Sequence, residues 1–147
     1  MRRIFIATAT TLGVVAAVAL PAAGAAPKGQ HFTRTLLGAA VSANENVYDV
    51  RGPGGYRGAA VQLAKLNSTG TAGTDTVTLF DGKGTILSAD KFTVGKPVNG
   101  IITVKGTGRS LSGTGIYKHV KETYSFTGTI NSKTGQYKFT LSGTIAL

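Results

Sequence analysis

The chain contains no cysteine and no tryptophan, and of its 147 residues only 6 are acidic and 2 are histidine. Without cysteine there can be no disulfide, no thiol nucleophile and no thiolate metal site, so apolar burial and backbone pairing must hold the fold. His31 and His119 stand far apart in sequence, and no dedicated metal site is expected from them. After the first 25 residues no stretch keeps a helical period over three turns, and the basic residues form no run. Neither a DNA-reading helix nor an aromatic-plus-basic signature is present, so no nucleic-acid partner is expected. No cofactor motif is legible either.

What is present begins with an export pattern. Arg2 and Arg3 precede an apolar run from Ile4 to Leu20, and small residues from Ala22 to Ala26 offer cleavage sites of the A-x-A kind. We therefore expect residues 1–25 to be a signal peptide, 26–30 a flexible lead-in, and 31–147 a single domain, secreted and extracellular. Removal of 25 residues from 147 leaves 122, enough for one small domain with a modest core. The formal charge of the whole chain is +10. Its bases are scattered, as a solvated cationic surface would have them. The alternative is attraction to an anionic cell envelope.

Glycine and threonine punctuate the domain every few residues, with β-branched residues between them, which reads as all-β. Strands are expected over His31–Val41, Asn46–Val50, Ala59–Leu66, Asp75–Phe80, Gly84–Ala89, Ile101–Lys105, Gly115–Ile130 and Gln136–Ala146. Asn67 to Thr74 reads as a loop, and Asp81–Gly84, Lys96–Gly100 and Asn131–Gln136 as tight connections. Asn67-Ser-Thr69 also matches a glycosylation acceptor, which has meaning only in a eukaryotic secretory pathway.

Alternation is cleanest near the C-terminus. Tyr137, Phe139, Leu141, Gly143 and Ile145 share one face, and Tyr124, Phe126, Gly128 and Ile130 share another. Glycines on an apolar face suit a strongly curved sheet, which favours a closed barrel over a flat sandwich. Gly115–Ile130 is long for one strand. A break near Lys121 is expected, with Lys118 and Glu122 pointing outward, because charges are rarely buried without partners.

Gly106–Gly115 is a glycine-rich stretch read as a turn. It is not a dinucleotide-binding loop, because an alternating strand follows where a helix would be needed. Gly52–Gly58 looks like a looser copy of it. Among the acids, Asp81 and Asp90 sit in turn contexts and Asp75 reads as a cap at a loop end. Asp49 and Glu122 are the remaining catalytic candidates, since a carboxylate within a strand is unusual.

The stretch Gly100–Gly115, with Phe80–Ile86 before it, resembles the allene oxide cyclase and dirigent barrel superfamily. There a strand enters a G-T-G-[KR] turn and the chain ends on a Leu-x-Gly strand. The likeness covers Asp75 to Leu147 and departs from the pattern at Leu111 and by one extra residue around Ser110. It implies an eight-stranded antiparallel barrel, trimeric in many members, with a cavity for a small apolar molecule and, in some members, isomerase or cyclase activity. No catalytic residue carries over. The expectation is a secreted barrel holding an apolar ligand against Tyr124, Phe126, Tyr137, Phe139 and Leu141. A solid core is the competing expectation.

Overall fold

The structure, a computed structural model, describes residues 29–147. The expected signal peptide and most of the expected lead-in lie outside the described residues. Eight antiparallel strands follow one another around a closed barrel: β1 Gln30–Ala40, β2 Glu45–Arg51, β3 Arg57–Leu66, β4 Ala72–Phe80, β5 Thr85–Val94, β6 Ile101–Gly113, β7 Lys121–Asn131 and β8 Gln136–Ala146. Each strand pairs with its neighbour in sequence. β8 returns to β1 in a register running from Gln30 against Ile145 to Ala39 against Gln136. No sheet edge is left open, which protects an all-β chain against edge-to-edge pairing.

Period-two alternation sets which side chains enter the barrel. Along β7, Glu122, Tyr124 and Phe126 are buried while Lys121, Thr123, Ser125 and Thr127 are exposed. The core is built from inward residues of every strand, with Val50 and Ile86 almost wholly enclosed. Because the strands run up and down, the connections alternate between two ends. One end carries the β1–β2, β3–β4, β5–β6 and β7–β8 loops. At the other, the 3₁₀ turns Pro53–Gly55 and Gly115–Tyr117 are found, and Tyr117 and Val120 are buried.

Several sequence expectations change. Gly106 to Gly113 is not a turn: it continues β6, in register with β7 from Gly106 opposite Phe126 to Arg109 opposite Thr123. The glycines serve close approach there. A Cβ on Gly106 would come within 2.6 Å of the Phe126 ring, and one on Gly108 within 2.5 Å of Tyr124. Gly52–Gly58, by contrast, is mostly a loop, so the two phrases are not structural copies. Leu111 is the residue left over where the β5–β6 register shifts between Leu87 and Ser88, a β-bulge, and its side chain is exposed.

The break before Lys121 is present, and Lys118 is exposed as expected. Glu122 is the exception. It points into the barrel at 2% exposure, because Arg34 of β1, on the other side of β8, also points inward and pairs with it. Finally, Asp75 caps no loop and Asp90 lies in no turn: both are inward positions in the middle of β4 and β5. Asp81 does lie in the β4–β5 connection.

Candidate ligand cavity

The barrel is hollow toward the end that carries the β1–β2 and β3–β4 loops. A cavity of about 390 Å³ opens there, within the size range of small-molecule sites. Its apolar wall is made by Leu36, Phe92, Val104, Phe126, Phe139 and Leu141, with Val77, Val94, Ile102, Ile130 and Tyr137 nearer the mouth. Of the five lining residues expected from the sequence, Phe126, Tyr137, Phe139 and Leu141 stand at this cavity. Tyr124 does not. It lies one inward position deeper on β7, where its hydroxyl supports the polar wall.

The aromatic side chains hold one another edge to face. Phe139 meets Phe126 at 6.1 Å between ring centres and Tyr48 at 6.0 Å, each close to perpendicular. Such contacts add to area burial and fix ring positions. An open lumen can therefore keep its shape without a filling side chain.

One side of the lumen is polar, and its members come from five strands. On β2 and β3, Asn46 Nδ2 and Tyr48 Oη both donate to Gln62 Oε1, at 2.8 and 2.6 Å. Gln62 Nε2 in turn donates to Asp75 Oδ2 at 2.5 Å. Asp75 stands directly opposite Asp90 in the β4–β5 register, so their carboxyls face one another inside the wall. The chain ends at Tyr124 of β7, whose hydroxyl donates to Asp90 Oδ1 at 2.6 Å. Asp75 Oδ1 is buried and receives no N–H or O–H donor.

Burial raises both carboxyls, Asp75 to about 6 and Asp90 to about 8, and for Asp90 the neighbouring Asp75 charge adds to the rise. Two carboxyls in contact lose their protons as a pair, in two steps. Such a pair resists full ionisation near neutrality. Burial also raises Tyr48 and Tyr124, which stay protonated as donors. The arrangement can accept a hydrogen bond, donate one, or pass a proton at Asp90, which lines the cavity.

The two catalytic candidates from the sequence are elsewhere. Asp49 is exposed on the outer face of β2 and pairs with Arg51 at 2.6 Å. Glu122 is inside the barrel, 2.7 Å from Arg34 Nη1, but toward the opposite end from the cavity. Burial raises the Glu122 carboxyl, and the Arg34 charge offsets part of that rise. Nearby, Tyr117 donates to the Asp81 carboxylate. Burial there works against ionisation, yet the bonds from Tyr117 and from the Lys83 N–H hold Asp81 below its usual value. Asn67, the glycosylation match, uses its side-chain oxygen to accept from the Thr71 and Ala72 N–H groups in the β3–β4 loop.

Asp75, Asp90, Gln62, Tyr48 and Asn46 were missed in the sequence. The signal was there in parity: Asp90 lies an even number of residues from Ile86, Ser88, Phe92 and Val94, and Asp75 from Val77 and Leu79. Comparison with family models, with curated proteins and with solved structures gives no match to this chain. The likeness to allene oxide cyclase and dirigent barrels thus rests on its motifs alone, and no residue role passes from it to this chain.

Proposed function

We propose that this protein takes a small, largely apolar molecule into the lumen of its barrel. The observation that carries the reading is the cavity of about 390 Å³, walled by aromatic and aliphatic side chains and bordered on one side by Asn46, Tyr48, Gln62 and Asp90. An apolar body with one polar group matches that lining. Isomerase or cyclase activity, which the resemblance implies, would use Asp90 as the group that gives and takes a proton. The test is a thermal-shift and calorimetric screen with neutral apolar molecules, repeated on Ala64→Phe, which narrows the mouth. Binding by the native protein and its loss in the variant are expected; no response in the native protein sinks the proposal.

A second reading has its own observation. Every lysine and arginine of the described residues except Arg34 is exposed, while Asp75, Asp81, Asp90 and Glu122 are all buried. The outer surface is therefore almost purely cationic and would favour an anionic cell envelope. Retention on isolated envelopes at low ionic strength that is lost at high salt would support it. Secretion belongs to the same proposal, and mass spectrometry of the mature N-terminus tests it. The homotrimer that the resemblance implies would use the outer aliphatic face of β1–β3, where Leu37, Val47 and Leu63 are exposed. Light scattering decides that point.

A further inference from the structure

The cavity contains an acid and no base. Asp90 reaches its wall, whereas no lysine, arginine or histidine lines it. Among the described residues the one buried base, Arg34, is committed to Glu122 toward the other end. Asp75 and Asp90 together offer four carboxyl oxygens. The side-chain donors they receive are Gln62 and Tyr124, both neutral, and Asp75 Oδ1 is left with none. Both side chains belong to residues 5% exposed. A buried carboxylate is costly without a countercharge. This protein supplies one to Glu122 and withholds it from the pair.

We infer that the molecule held in the lumen is a cationic amphiphile, an apolar body ending in a protonated amine that lies against Asp90, behind which Asp75 is buried. This rests on the lumen-binding reading above and names the class of ligand. The apolar wall takes the body, and the ammonium supplies the N–H donors and the positive charge that the pair lacks. A bare metal ion would leave the wall unused, and an anionic amphiphile would set its carboxylate against the pair.

Proton balance follows. The ligand arrives as an ammonium, and a proton held by Asp75 or Asp90 leaves for solvent as both carboxylates become ionised. The groups facing the pair from inside the barrel are Gln62 of β3, Tyr48 of β2, and Tyr124 and Glu122 of β7, the last held by Arg34 of β1; on the outer side Lys65 of β3, Lys91 of β5 and Arg109 of β6 line a depression that the pair also reaches, and none of the three forms an ion pair with it. The two tyrosines keep their protons, and Glu122 keeps its arginine. Release therefore comes from the pair, whose carboxyls lie at about 6 and about 8.

The test is calorimetric titration with n-octylamine, n-octanol and octanoate, which share a body and differ in the head. The amine should bind at least about tenfold more tightly than the alcohol, and octanoate not measurably. Amine affinity should rise by up to about tenfold per pH unit as pH climbs from about 6 to about 8, because protons compete with the ligand below that point. Octanol affinity should stay flat, and amine binding should release protons into buffers of differing ionisation enthalpy. Asp90→Asn should weaken the amine at least about tenfold more than it weakens octanol, removing the amine's advantage; Asp75→Asn serves the same end if the first variant does not fold. Octanol binding as well as the amine, or octanoate binding best, overturns the cationic ligand while the lumen reading survives. Binding of none of the three overturns both.

Discussion

Toward the closed end of the barrel a buried carboxylate is given an arginine; beside the open lumen two buried carboxyls are given only each other. Glu122 and Arg34 meet at 2.7 Å beneath the turns that bury Tyr117 and Val120, so the buried charge at that end is balanced within the chain, although Glu122 Oε2 and Tyr56 Oη find no hydrogen-bond partner there. The lumen is walled by apolar side chains and keeps an acid pair with one oxygen short of a donor. The difference separates what folding needs from what a ligand would complete. An end whose buried charges are paired and whose turns cover it can carry the stability that an unfilled end lacks.

The largest effect is expected at the closed end. Glu122→Ala leaves Arg34 buried without its partner and should cost about 3–5 kcal/mol in urea unfolding. Replacing both residues by apolar ones should recover much of that loss. A cost below about 1 kcal/mol for Glu122→Ala would show that the closed end does not hold the fold.

Gly108→Ala should come next, at about 1–3 kcal/mol, because the added methyl must displace the Tyr124 ring and the Asp90 carboxyl. An unchanged urea midpoint would mean that the polar wall yields easily.

The acid pair gives a pH signature, to which Glu122, also raised by burial, adds in the same direction. Both carboxyls lie above their ordinary value of 3.8 when folded, so between about pH 4 and pH 8 the native state holds more protons than the unfolded chain. Stability then falls as pH rises through that window. The midpoint of thermal unfolding should be several degrees higher at about pH 5 than at about pH 9. Asp81, held below its usual value, loses its contribution only in more acidic solution and does not mask the trend. Asp90→Asn should flatten the profile; a slope that survives it would place the cause elsewhere.

The smallest effect belongs to the outer surface. Asp49→Ala removes an exposed ion pair with Arg51 and should change stability by less than about 1 kcal/mol. A larger loss would mean that the outside of β2 is not free.

The barrel itself was legible in the sequence because alternation and Gly-x-aromatic spacing survive in β7 and β8, where almost every inward residue is apolar. Much of the lumen was legible for the same reason: Phe126, Tyr137, Phe139 and Leu141 announce their face by size. β6 was not legible beyond Lys105. Glycine weakens an isolated strand, and only the rings of Phe126 and Tyr124 on the next strand explain why Gly106 and Gly108 are there. The acids failed for a related reason. A carboxylate reads as a loop or surface residue until its partners are known, and the partners of Asp75, Asp90 and Glu122 lie on other strands.

Gly108 has a consequence for how such a chain can change over time. It contributes no side chain, yet it leaves the space into which Tyr124 and Asp90 fit. A substitution there tilts or expels the tyrosine, strips Asp90 of its donor and changes what the lumen can hold, without altering a lining residue. Position 108 is therefore a hidden determinant of the lumen's shape and of its polar wall. Among descendants of this barrel, residues 90, 108 and 124 should be replaced together or not at all.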